Sequence, residues 1–243
     1  MRTFLIATVA SAALFGAASA HAQAVGHVGA NYTRVESDFG DGDAFQLEGA
    51  AAFQVGGLGA QVDGSVTDGE DMDTIWSATG HLNGKFGGAL VGGFAGLSTS
   101  DGDTLWGIGA EAQTAIAPST VLYGQVGYGQ IDDVDVDLWA ARGELRHYFT
   151  ESFRLSGSIG YLNADSDFGD SDAWTFGVDA EYQFAGTPLS VYGGYQRAEF
   201  DGDVDSDTFQ IGLRFTFGGA TLRARDDAGA MLGSVSKLFG AVN

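Results

Sequence analysis

The chain has 243 residues and no cysteine, and it carries 32 Asp and Glu against 11 Lys and Arg. This acidic excess argues against a nucleic-acid partner, because the phosphates would be repelled. Beyond the amino-terminal residues no run approaches the ~18 apolar residues of a membrane-spanning helix, so the chain is either a secreted soluble β-protein or an outer-membrane one.

The amino terminus has the pattern of an export signal. Met1-Arg2 supply a charged start, the apolar run extends from Phe4 to Ala20, and Ala20-His21-Ala22 forms a small-residue cleavage site. We therefore predict a signal peptide over residues 1–22, a barrel domain over 23–218 and a periplasmic carboxy-terminal tail over 219–243. An exported domain without disulfides needs another source of stability, and a closed barrel in lipid pairs every backbone group between strands.

Alternating polarity predicts twelve strands in this domain. Residues 173–184 and 208–218, for example, alternate between apolar and polar side chains, and a period of two indicates a strand rather than a helix. The predicted strands are residues 25–35, 44–55, 59–67, 74–85, 88–98, 104–116, 121–130, 138–149, 153–162, 173–184, 188–197 and 208–218.

A repeated pattern locates one membrane interface. Six times an acidic, glycine-containing segment ends in Asp and is followed within three residues by an aromatic, every 30 to 35 residues. That spacing fits two ~10-residue membrane strands, and an aromatic ring beside a charged loop suits headgroup depth. We expect an outer aromatic girdle of Phe45, Trp76, Trp106, Trp139, Trp174 and Phe209. The predicted fold is an all-β, transmembrane, antiparallel up-and-down barrel of about 12 strands, with a soluble β-sandwich as the alternative.

The connections are predicted to alternate between acidic loops outside and short turns in the periplasm. Of the 32 acidic residues, 22 lie in six loops that contain no Lys or Arg. Acidic loops gathered at one end of the barrel should concentrate cations there, within a Debye length of ~8 Å. We expect at most weak calcium binding, at Asp201, Asp203, Asp205 and Asp207, because no helix-loop-helix calcium motif is present, and no cofactor is predicted.

In this architecture the chain resembles the small porins and porin-like outer-membrane barrels of Gram-negative bacteria, over about residues 24–218. The resemblance implies passive diffusion of small polar solutes and ions, and contacts with outer-membrane lipid, lipopolysaccharide and the outer-membrane assembly machinery. It also implies an aromatic carboxy-terminal residue, which this chain lacks, since it continues beyond Phe217 to Asn243.

Strand phase predicts the charged lining of the lumen. With the apolar phase facing lipid, the inward ionisable residues are Glu48, Asp63, Lys85, Glu111, Arg142, Glu144, Arg146, Arg154, Asp179, Glu181 and Arg214. Arginines on the eighth and ninth strands and acids on the second and third should face each other and produce a transverse field. Twelve strands fall between filled and open barrels, and small inward residues such as Gly177 and Ser156 favour an open pore. The acidic loops predict that this pore is weakly cation-selective.

Two other functions are considered. A closed structural or adhesive barrel would act through its acidic loops. A lipid hydrolase is disfavoured, and no enzyme is predicted, because no G-x-S-x-G motif occurs and none of His27, His81 and His147 has a Ser within two residues. The tail carries apolar residues at helical spacing between Met231 and Phe239, so a short helix could lie on the inner leaflet, plug the lumen or stay disordered.

Overall fold

The computed structural model describes residues 24–38, 40–69, 72–132, 135–166, 169–202, 204–219 and 221–240. The predicted signal peptide lies outside these residues. Twelve strands form one closed antiparallel barrel in which each strand pairs with the next and β12 pairs with β1. The strands are β1 (Val25–Ser37), β2 (Gly40–Val55), β3 (Leu58–Gly69), β4 (Met72–Phe86), β5 (Ala89–Ser100), β6 (Asp103–Ala117), β7 (Thr120–Ile131), β8 (Val136–Thr150), β9 (Phe153–Ser166), β10 (Gly169–Gln183), β11 (Leu189–Phe200) and β12 (Val204–Phe217).

The predicted fold and strand count are confirmed, and the outer strand ends differ from the expectation. Instead of long outer loops, most of the acidic segments are strand. The ladder of β1 and β2 continues through Arg34 opposite Asp43 and Glu36 opposite Asp41. Antiparallel pairing needs only backbone groups, so a hairpin can extend into water where neither face is apolar. We call this acidic end the mouth and the opposite end, which carries the short turns, the base.

Two of the base turns are tight because glycine supplies the backbone they need. Gly56 and Gly57 have φ values of +56° and +89°, and Gly87 and Gly88 have +56° and +90°. Two successive residues with positive φ make the two-residue hairpin turn that matches strand twist. These turns fix the register of the strands on either side.

The outer face of the barrel is apolar. Leu47, Val126 and Ile211 are each more than half exposed, and many other large apolar side chains are exposed on the same face. Water would penalise such a surface and lipid would not, so this face contacts the bilayer.

Beyond β12 the chain forms two short helices, α1 (Leu222–Asp227) and α2 (Val235–Leu238). Thr221 caps α1 by accepting a hydrogen bond from the Ala224 amide, and Ser234 caps α2 by accepting one from the Lys237 amide. Neither these nor any other helix in the described part of the chain has the length and apolar character to cross a membrane.

Candidate functional site

Inside the barrel, alternation brings most of the predicted lining residues to the lumen. Of the eleven ionisable residues assigned there, ten are buried or half-buried, whereas Lys85 is exposed beside the turn at the base. The lumen therefore holds most of the buried ionisable side chains of the wall, and what fills it decides what it can do.

The tail lies in this lumen. Residues 219–243 were expected in the periplasm, but the described part, 221–240, is packed inside the barrel. Leu222 is fully buried with Val121 and Tyr148, and Phe239 is fully buried further toward the mouth. The plugging alternative for the tail is the arrangement found. We call residues 221–240 the plug.

The first helix of the plug is held by two opposite charges. Arg225 donates to Glu181 of β10 at 2.6 Å, and its neighbour Asp226 accepts from Arg146 of β8 at 2.6 Å. Tyr148 donates to the second oxygen of Asp226 at 2.7 Å. Because consecutive residues pair with β10 and β8, α1 is fixed to this side of the wall near the base.

The middle of the plug is held through its backbone. Gln61 accepts from the amide of Leu232 and donates to its carbonyl, both at 3.2 Å. The Tyr123 hydroxyl accepts from the amide of Gly233 at 2.9 Å. These contacts satisfy backbone groups that would otherwise be buried without partners.

The two wall residues in these contacts belong to one buried network. The two ring nitrogens of His81 lie 2.9 Å from carboxylate oxygens of Asp63 and Glu111. Gln61 also donates to Asp63, and Tyr123 donates to Glu111. His81 is thus a wall residue between two carboxylates that both contact the groups holding the plug.

The second helix of the plug packs on apolar wall. It contacts strands β4 to β8. Val235, Leu238 and Phe239 form one cluster with inward-facing apolar side chains of the wall. We call this part of the wall the apolar half of the lumen; its side chains in the cluster are Phe94, Leu105, Leu138, Ala140 and Leu162. Fully burying each large apolar side chain stabilises the seated plug by roughly 1.5–3 kcal/mol.

Glycines in the wall make room for these side chains. A Cβ on Gly107 would lie 2.7 Å from Phe239, and one on Gly127 would lie 2.8 Å from Leu238. Neither distance is compatible with a packed methyl group. Small inward residues had been expected to leave room for water. On this side they accommodate the plug instead.

The end of the lumen nearest the base is filled as a result. Each strand contributes at least one buried inward side chain there, as in His27, Ala52, Gln61, Asn83, Leu90, Gln113, Tyr123, Arg146, Ser156, Glu181, Ser190 and Thr216. An empty barrel of this size would leave such side chains wet.

Toward the mouth, the inward side chains of β10 to β12 and β1 to β3 differ from the apolar half. We call them the polar half, which comprises Asn31, Gln46, Glu48, Asp63, Thr67, Thr175, Asp179, Tyr192, Gln196, Thr208 and Gln210. Nearly all are half-buried, so water reaches them from the mouth. Asn31 donates to Gln46 and to Tyr192 at 3.0 Å, and Gln210 donates to Asp179 at 2.9 Å.

The lumen charges form local pairs. Arg142 and Arg146 both donate to Glu144 at 2.7 Å, and Arg214 joins Glu48 to Glu181. Most of these charges are therefore paired with close neighbours, and the transverse field expected between an arginine arc and an acidic arc stays a prediction.

The outward side of the mouth carries the six girdle aromatics, among which Phe45 and Trp139 are 68% and 60% exposed. Tyr32, Tyr128, Tyr161 and Tyr195 each stand directly opposite one of them in the register and pack against its ring. Tyr128, for example, donates its hydroxyl to Asp137 at 2.5 Å while packing on Trp139. Cross-strand tyrosines were not part of the sequence prediction, although their spacing from the girdle residues could have indicated them.

The acidic segments are partly neutralised by arginine. Arg197 pairs with Glu199, Asp205 and Asp207, and Arg34 pairs with Glu36, Asp41 and Asp43. Asp203 lies outside the described residues, and within the described ones no group of three or more potential ligands has metal-site geometry. Calcium binding at this mouth stays a prediction.

No protein-family model matches this sequence, and no curated protein is significantly similar to it. Solved structures do match. The KdgM porin superposes with a TM-score of 0.60 at 10% identity, covering 78% of this chain and 99% of the porin. The NanC porin gives 0.60 at 9% identity, with 77% and 98% covered. An outer-membrane channel from Pseudomonas putida F1 gives 0.60 at 11% identity, with 81% and 94% covered.

At such low identity the similarity concerns the fold. The lipid-facing apolar wall and the aromatic girdle agree with it. This chain is an integral outer-membrane β-barrel with the fold of the porins and porin-like channels.

Proposed function

We propose that the protein is a porin-type channel for small polar solutes and ions, and that the plug closes it. The observation that supports this most is the polar half of the lumen. A barrel that only had to be filled could be apolar throughout, as it is beside α2. Hydrated amides, hydroxyls and carboxylates are instead the groups that line a path for ions and polar solutes.

The attachment of the plug supports closure by a movable part. It is joined to β12 through Gly218 and Gly219, and Gly218 has a φ of +71°, which few other residues adopt. Its contacts with the wall are hydrogen bonds, ion pairs and apolar packing. Displacing it breaks no strand pairing of the barrel, because the twelve strands close on one another through their own backbone ladders.

Single-channel conductance in a planar bilayer tests the proposal. A chain ending at Gly219 should show discrete current steps, and the full chain should be closed most of the time. A folded, truncated barrel without conductance would contradict the proposal and would favour the closed structural or adhesive barrel acting through its acidic mouth.

An engineered disulfide between the wall and the plug tests closure in the full chain. A Cβ on Gly107 would lie 3.3 Å from Cγ1 of Val235, so Gly107→Cys with Val235→Cys brings two sulfurs within bonding reach once the Phe239 ring turns aside. The chain has no native cysteine to interfere. Oxidation should abolish the rare channel openings and reduction should restore them. In each single-cysteine variant, neither treatment should change the frequency of openings.

The finer part of the proposal is a weak preference for cations. The acidic mouth supports it, because its carboxylates outnumber Arg34 and Arg197. Replacing Asp101 and Asp103 by Asn should move the reversal potential of the open channel in a salt gradient toward zero. An unchanged potential would exclude these carboxylates as its source.

A further inference from the structure

Three arginines converge on one buried carboxylate at the base of the lumen. Arg154, Arg214 and the plug residue Arg225 all donate to Oε2 of Glu181, at 3.2, 2.8 and 2.6 Å. Arg214 also pairs with Glu48. These five residues, which we call the Glu181 cluster, contain three positive charges and two negative ones.

The neighbouring ion pairs do not share this surplus. Arg142 and Arg146 are joined to Glu144 and Asp226, so that group has two charges of each sign. Asp179 lies two residues from Glu181 on β10, but among the described residues no ion pair joins it to the cluster, and its hydrogen bond comes from Gln210. The unbalanced positive charge therefore belongs to the Glu181 cluster.

The same cluster has hydrogen-bond donors without acceptors. Nε and Nη1 of Arg154 and Nε of Arg225 are buried and have no partner. Arg154 is 6% exposed and Arg225 is fully buried. Leaving such donors unsatisfied costs about 1–3 kcal/mol each, and more on a charged group. The surplus charge and the free donors thus belong to the same cluster.

We propose that a small inorganic anion, chloride or phosphate, binds to Arg154 and Arg225 in the seated state of the plug. An anion would supply the missing negative charge and accept from the free N–H groups. Since Arg154 belongs to β9 and Arg225 to the plug, the site exists only when the plug is in place. The anion therefore stabilises seating by RT ln(1 + [L]/Kd).

The reaction of a buried cysteine with a maleimide measures seating directly. Val235 is fully buried, so in the full-length Val235→Cys protein the thiol reacts only when the plug moves. The rate is compared in sodium chloride, sodium phosphate and sodium lactobionate at equal pH and ionic strength, lactobionate being too bulky for the site. We expect the reaction to be slower by about fivefold in the binding salt once that anion is about four times above its Kd. The salt that slows it identifies the ion.

Two variants separate this site from general salt effects. Arg154→Gln should remove the difference between salts, while Arg142→Gln should keep it, because Arg142 belongs to the balanced group. Circular dichroism checks that each barrel is intact. Equal rates in all three salts would mean that water fills the site, and a difference that persists in Arg154→Gln would place the anion elsewhere. The readout is plug position, so it is independent of whether the barrel conducts.

Discussion

The two halves of the lumen are made by the same strand alternation and differ in what they do with it. Toward the mouth, the inward side chains of β5 to β9 are mostly apolar or Gly and are covered by α2. At the same end, those of β10 to β12 and β1 to β3 are mostly polar and half-buried. A side chain that points into a barrel is therefore not necessarily in contact with water. Inward side chains are buried where the plug packs on them. The plug packs where the wall offers apolar side chains and glycines, which have no Cβ atom.

The largest expected effect concerns the buried ion pair between Asp226 of the plug and Arg146 of the wall, at the base of the lumen. Asp226→Asn removes one of the two carboxylates paired with Arg146 and leaves Arg142 and Arg146 to share Glu144; breaking a buried pair costs about 3–5 kcal/mol. The plug should unseat, with faster maleimide labelling of Val235→Cys and more frequent current steps. Asp227→Asn is the matched control, since its side chain is 57% exposed and pairs with Arg223. Equal effects of the two changes would show that α1 is not held by this ion pair.

The next prediction compares a glycine from each half. A Cβ on Gly107 would meet the ring of Phe239 at 2.7 Å, whereas one on Gly177 would meet the Ser158 hydroxyl, which can rotate away. Gly107→Ala should therefore destabilise the seated plug by about 1–3 kcal/mol. Labelling of Val235→Cys should accelerate in that variant and not in Gly177→Ala. If both accelerate alike, the apolar half is not a specific seat.

A third prediction addresses the polar half alone. In the chain ending at Gly219, Asp179→Asn removes a lumen carboxylate that has no cation partner among the described residues. The reversal potential in a salt gradient should shift modestly toward anions. In the full chain the same change should leave maleimide labelling unaltered. Faster labelling would mean that the polar half also holds the plug.

The smallest effect is expected outside both halves. Tyr128→Phe removes the hydrogen bond to Asp137 and should lower the midpoint of a denaturant titration in detergent only slightly. Plug labelling should not change. A change would show that the mouth hairpins and the plug are coupled.

Sequence patterns predicted the barrel well because strand alternation and girdle aromatics are local. They placed all twelve strands, and they placed Glu181 and Arg214 on the inward face. The ends at the mouth were missed because the backbone ladder continues through residues such as Glu36 and Asp41, whose polarity resembles that of a loop.

The position of the tail was left open because it depends on contacts far apart in sequence. Asp226 meets Arg146 across 80 residues, and Leu232 meets Gln61 across 171. The pairing of Arg154 and Arg225 through Glu181 has no local signal either. Only the apolar spacing between Met231 and Phe239 hinted that this segment would be buried.

The girdle has a spectroscopic consequence. All four tryptophans lie on the lipid-facing side of the mouth, and the indole of Trp106 donates to Asp132 at 3.1 Å. The plug contains none. Intrinsic emission will therefore report the polarity at one membrane interface during insertion, and it will be almost blind to movement of the plug, which needs an added fluorophore to be seen.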